Sequence, residues 1–78
     1  MNEYETPDFG LAAFLVARER RMVRNRKEGR RVFFTFADVD DDVKEYRFGD
    51  AMVSAHKILS AQKQLRSIIY DDFGTHGK

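Results

Sequence analysis

Seventy-eight residues with a formal net charge of +1, 42% hydrophobic and 35% charged, and without a single Cys or Trp, describe one small domain. Neither disulfides nor thiolate metal sites can brace it, and no apolar run approaches the roughly 20 residues of a membrane span. A core of this size contributes little beyond chain entropy, so a homodimer is the expected remedy. Met1 to Asp8 is polar and acidic, unlike a signal peptide, and a cytoplasmic protein is expected.

Met1 to Glu5 reads as a loose end. Thr6-Pro7-Asp8 then marks a helix start, with Thr6 as the capping hydroxyl, Pro7 in the first turn and Asp8 at the positive dipole end. The helix runs from Phe9 to about Arg20, with Leu11, Phe14, Leu15 and Arg18 on one face. The period then changes from 3.6 to 2. Arg31 to Ala37 alternates as a strand, with Val32, Phe34 and Phe36 on one side. Residues 20 to 27 read either as its hairpin partner, turning at Lys27-Glu28-Gly29, or as an extension of the first helix. A lone hairpin is unstable in water, so it must lie against helices or pair across a dimer.

Asp38 to Asp42 offers several helix caps for a short helix from about Asp40 to Phe48, which places Val39, Val43 and Tyr46 on one side. Gly49 ends that helix, and Asp50 caps a long one from Ala51 to about Tyr70. Its stripe is Ala51, Ser54, Ile58, Ala61, Leu65 and Ile68; a remaining strip at Leu59, Gln62 and Ile69 is left for dimerisation. Gly74 to Lys78 is a second loose end. The expected fold is a small single α+β domain, in the order helix, β-hairpin, short helix, long helix, with an ordered core of about residues 6–70.

The opening Tyr4-x-Thr6-x-Asp8-x-x-Leu11-Ala12-Ala13-Phe14-Leu15 resembles the start of a family of short bacterial and phage-borne proteins catalogued as a domain of unknown function. Arg30 to Phe36 and the Tyr46-x-x-Gly49 step before Val53-Ser54-Ala55 are similar too, so the resemblance spans about Tyr4 to Ile69. It implies a phage or mobile-element setting and a small α+β fold, and brings no activity with it. Where such proteins have a Gly-containing turn after the first helix, this chain has Arg18-Glu19-Arg20-Arg21.

Charge is segregated along the chain. Eight of the fifteen residues from Ala17 to Arg31 are basic, and Asp38 to Asp50 holds six carboxylates against Lys44 and Arg47. A basic ribbon can enter a major groove or track phosphates, so the leading expectation is DNA or RNA binding through Arg20, Arg24, Arg26, Lys27, Arg30 and Arg31. On strand one, Arg20, Arg24 and Arg26 would share a face, and Phe33 and Tyr46 could add stacking if exposed. The bland alternative is a solvated edge that discourages aggregation or pairs with the acidic segment. The competing function is a protein-protein adaptor or inhibitor of a host system, acting through Asp38, Asp40, Asp41, Asp42 and Glu45.

Asp38-x-Asp40-x-Asp42 imitates the start of a calcium loop, but Val43 and Gly49 stand where Gly and Glu are required, so no metal site is expected. Ser54 and His56 are two residues apart and point to different sides of a helix, and His76 lies near the end of the chain. No nucleophile–base pair or phosphate-binding glycine loop is present, so neither an enzyme nor a cofactor is expected.

Overall fold

A computed structural model describes residues 2–49 and 52–72. The elements in chain order are β1 (Glu3–Thr6), α1 (Phe9–Ala17), β2 (Met22–Glu28), β3 (Arg31–Ala37), α2 (Asp40–Phe48) and α3 (Ala55–Asp72). The fold is a small α+β domain built on a three-stranded antiparallel sheet in the order β1-β3-β2. Asp50, Ala51, His76 and the 74–78 tail lie outside the described residues.

The first correction concerns the start of the chain. Glu3–Thr6, read above as loose, is an edge strand paired with the far end of β3, from Glu3 opposite Ala37 to Thr6 opposite Phe34. Tyr4 and Thr6 face the helices, whereas Glu3 and Glu5 face outward. Thr6 is therefore not the helix cap. Asp8 caps α1 by accepting the Leu11 N–H at 3.1 Å, and the Thr6 hydroxyl accepts the Asp8 N–H at 3.0 Å.

Helix α1 stops at Ala17, three residues short of the expected end. Glu19 takes φ +62 in the turn that follows. Leu11, Ala12, Ala13, Phe14, Leu15 and Ala17 are all buried, almost round the whole helix. A helix apolar on every side needs cover on every side. The sheet residues Val32, Phe34 and Phe36 supply it on one side, and Ala61 and Leu65 of α3 on another. Val39, just before α2, and Val43 within it complete the cluster.

Residues 22–28 form a strand, which settles the alternative left open by the sequence in favour of the hairpin. Its turn is the two-residue Gly29-Arg30 link, with Glu28 paired to Arg31, and not Lys27-Glu28-Gly29. Gly29 occupies the first central position at φ +63, which glycine adopts freely. A bulge between Met22 and Arg24 changes the face of the strand: Met22 pairs with Phe36 over the core, and Arg24 and Arg26 pair with Thr35 and Phe33 on the outer face. Arg20 lies before the strand and does not share their face.

Helix α2 spans the predicted residues and ends at Gly49 with φ +80. Its N-cap is Val39, with no side-chain cap, and Asp40, Asp41 and Asp42 occupy the first turn at the positive end of the dipole. Helix α3 starts at Ala55, later than Ala51. Ser54 Oγ accepts the Lys57 N–H at 3.1 Å and serves as its cap, so Ser54 is not part of the buried stripe. Ala61 and Leu65 are buried as expected, with Ile58 and Ile68 half-buried.

Candidate functional site

The outer face of the sheet carries Arg24 and Arg26, two of the residues singled out for polyanion binding, and both are already paired. Arg24 is bonded to Glu3, and Arg26 Nε donates to Glu5 Oε2 at 2.7 Å while its other end reaches Glu28 at 2.9 Å. The register explains this: Glu3 and Glu5 on β1 and Arg24 and Arg26 on β2 flank the same stretch of β3. Arg26 holds the Glu5 carboxyl below the ordinary carboxylate range, and in return Glu5 and then Glu28 push the Arg26 guanidinium further up. The same guanidinium lies 4.4 Å from the Phe33 ring centre, so Phe33 is covered where base stacking would require it bare. On this face Glu3, Glu5 and Glu28 balance Arg24, Arg26 and Arg31.

Arg20 and Arg18 are drawn elsewhere, to Asp42. This carboxylate, 6% exposed, accepts from Arg18 Nη1 at 2.9 Å and from Arg20 Nε at 3.0 Å. Arg20 Nη2 adds a bond of 3.2 Å. Arg18 also bonds Glu45 at 2.5 Å and lies over the Phe14 ring at 4.7 Å. Asp42, then Glu45, raise the Arg18 guanidinium above its ordinary value. This cluster fastens the α1–β2 turn to α2.

The acidic segment is likewise engaged. Asp38, at φ +56, accepts the Asn2 N–H at 3.1 Å, and Asp40 accepts from the Asn2 side chain at 2.8 Å. Asp42 and Glu45 belong to the arginine cluster, leaving Asp41 exposed without a bond to either group. Among the described residues no three His, Asp or Glu side chains are grouped to hold a metal ion.

Of the expected nucleic-acid residues, Arg30 and Arg31 stand at the hairpin tip, exposed and without a carboxylate partner among the described residues. Lys27 is exposed beside them. The strand places this tip about 23 Å from Asp38, at roughly 3.3 Å per residue along β3. The tip is thus remote from the acidic segment, but the two poles anticipated from the sequence do meet at the α1–β2 turn, where Arg18 binds Asp42 and Glu45 and Arg20 binds Asp42.

One surface was not anticipated as a whole. A groove of about 480 Å³ opens between α1, α2 and the start of α3, lined by Gly10, Phe14, Tyr46, Val53, Ile58 and Gln62, with Met52 at its rim. The Tyr46 ring packs on Phe14, with centroids 5.3 Å apart and planes at 37°. A Cβ on Gly10 would lie 2.8 Å from the Tyr46 hydroxyl, so a glycine here lets the ring lie across the helix. Met52 is 82% exposed, Leu59 63% and Tyr46 36%. Leu59 faces a separate recess with His56, Ser60 and Lys63, so of the strip expected at Leu59, Gln62 and Ile69 only Gln62 lines this groove. A smaller recess of about 170 Å³ on the other side of α3 holds Glu19 and Lys57, 3.6 Å apart.

Comparison of the chain with protein-family models, with curated proteins and with solved structures finds no match. The functional reading therefore rests on the surfaces of the molecule itself. Among the described residues no helix is long and apolar enough to cross a membrane.

Proposed function

We propose that this chain is a non-enzymatic protein-binding module whose partner presents large apolar side chains to the groove between α1, α2 and the start of α3. The observation that carries this reading is a recess lined by Phe14, Tyr46, Val53, Ile58 and the 82% exposed Met52, whose apolar side chains stand open to a partner. The contrast with the charged surfaces supports it. Arg20, Arg24 and Arg26 are bound to Asp42, Glu3 and Glu5, and most of the acidic segment is bound to Arg18, Arg20 and Asn2. The adaptor role expected of residues 38–50 is thus carried by Tyr46 in that segment and not by its carboxylates.

Peptides selected from a random library on the immobilised protein, then titrated into labelled protein and followed by NMR, test this reading. Selected sequences should be rich in Leu, Phe or Met, and shifts should centre on Phe14, Tyr46, Ile58 and Gln62. Shifts confined to other surfaces, or a selection that yields no binder, would overturn it.

A second reading, polyanion binding at the hairpin tip, is favoured by Arg30 and Arg31, whose guanidinium groups have no carboxylate partner among the described residues. Fluorescence anisotropy with labelled duplex DNA, single-stranded DNA and RNA at two salt concentrations tests it. Salt-sensitive binding should weaken in R30E/R31E; unchanged binding in that variant would reject the tip as the contact.

A further inference from the structure

We propose that the ion cluster of Arg18, Arg20 and Asp42 positions the Tyr46 wall of the groove, so that a partner bound there and the cluster stabilise one another. On the reading of the groove as the docking surface, Asp42 is then a positioning residue, too buried at 6% exposure to meet the partner itself. Two walls of the groove belong to the core: Phe14 is buried on α1, and α3 is held by buried Ala61 and Leu65. The third wall, α2, has little apolar hold. Within it Val43 is the one buried apolar residue, and Val39 adds another from the position before it. Its ties from Asp40 to Asn2 and from Arg47 to the Tyr4 hydroxyl are exposed to water. Asp42 is its buried polar anchor.

Residue spacing joins this anchor to the groove. Phe14 and Arg18 stand one helical turn apart at the end of α1, as Asp42 and Tyr46 do on α2, so each pair shares a face. Across the α1–α2 contact they meet as two adjoining links. Arg18 Nη1 donates to Asp42 Oδ1 at 2.9 Å, and the Phe14 and Tyr46 rings lie 5.3 Å apart between centroids. The Arg18 guanidinium, 4.7 Å from the Phe14 ring centre, touches both links. Glu45, next to Tyr46 in the chain, takes the same guanidinium. A shift of α2 that breaks the ionic link therefore disturbs the ring pair as well.

A partner that packs on Phe14 and Tyr46 together binds only molecules in which α2 is in place. Its apparent affinity falls with the fraction of molecules in that state. The cluster raises that fraction, because moving α2 away strips a buried carboxylate of both its arginines. The coupling is reciprocal: the factor by which the cluster strengthens partner binding is the factor by which the partner strengthens the cluster.

Peptides selected on the wild-type protein, titrated into D42N, R20Q and D41N at a temperature where circular dichroism shows each folded, test the coupling. D42N should bind about tenfold more weakly, R20Q, which leaves Arg18 in place, about threefold, and D41N as wild type. R20Q changes a half-exposed arginine and carries the test if D42N does not fold. In the free variants the Phe14 and Tyr46 ring resonances should shift while the methyls of Leu15 and Leu65 stay in place. Unchanged affinity in D42N and R20Q would overturn the proposal, as would a loss of affinity in which Leu15 and Leu65 move with the rings, since that is general loosening. Peptides bound away from the groove would remove the docking surface itself, and the ring resonances alone would then decide whether Asp42 places Tyr46.

Discussion

Asp42 is the carboxylate on which the junction between α1, β2 and α2 depends, so D42N is the sharpest test of how the fold is fastened. Its side chain is 6% exposed and receives bonds from Arg18 and Arg20. Asn keeps the shape and one acceptor, but removes the charge and turns an amide N–H₂ toward two guanidinium groups. Removing one partner of a buried ion pair costs about 3–5 kcal/mol. Here Arg18 and Arg20 are 23% and 46% exposed, so both can regain water and the expected loss is about 2–3 kcal/mol. For a domain of this length that corresponds to a fall in melting temperature of about 10–20 °C. Thermal and urea unfolding of D42N should be read beside D41N, since the neighbouring Asp41 is exposed and should cost about 0.5 kcal/mol. If the two variants melted alike, the cluster would not be the fastening inferred from its geometry.

Replacing Glu19, at φ +62, by Gly should raise stability by about 0.5–1 kcal/mol in urea unfolding, because glycine adopts that conformation without strain. A G10A substitution normally adds about 1 kcal/mol to a helix, but the new methyl meets the Tyr46 hydroxyl at 2.8 Å. Stability should then stay within about 0.5 kcal/mol of wild type while the Tyr46 ring resonances shift; a full gain with an unmoved ring would contradict the close approach. Because Arg26 lowers the folded-state Glu5 carboxyl below its ordinary 4.5, the unfolded chain takes up the proton first as pH falls. That contribution is complete above the ordinary value and lost as pH falls through the lowered one, so E5Q should flatten the acid limb of the stability profile. An identical acid limb in E5Q would mean that the β1–β2 pairing carries no weight in solution.

The central strand was legible because Val32, Phe34 and Phe36 alternate cleanly, and α2 because Asp40 and Gly49 punctuate both ends. The first strand was legible too, but overlooked: Glu3-Tyr4-Glu5-Thr6 alternates polar and apolar with residues suited to strands, over a span too short to compete with the helix signal behind it. That omission had the largest consequence for function. Without β1, Arg24 and Arg26 look like free cations, since their partners are about 21 residues away in sequence and meet them only through β3. The bulge at Val23 was equally hidden, because nothing local announces an extra residue that turns Met22 inward and Arg24 outward. Asp42 looked like one helix-start carboxylate among several; its burial depends on where Arg18 and Arg20 arrive after α1 ends. The groove combines residues from three helices, and of its lining only Gln62 belongs to the surface strip that helical spacing marks on α3.

The surface proposed to bind a partner is the apolar groove and not either charged pole. A photo-reactive amino acid placed in living cells at Met52, at Arg30 or at Asp41 compares the three surfaces directly. Polypeptide adducts are expected from position 52, with little from 30 or 41. Nucleic-acid adducts from position 30, or polypeptide adducts only from position 41, would contradict it.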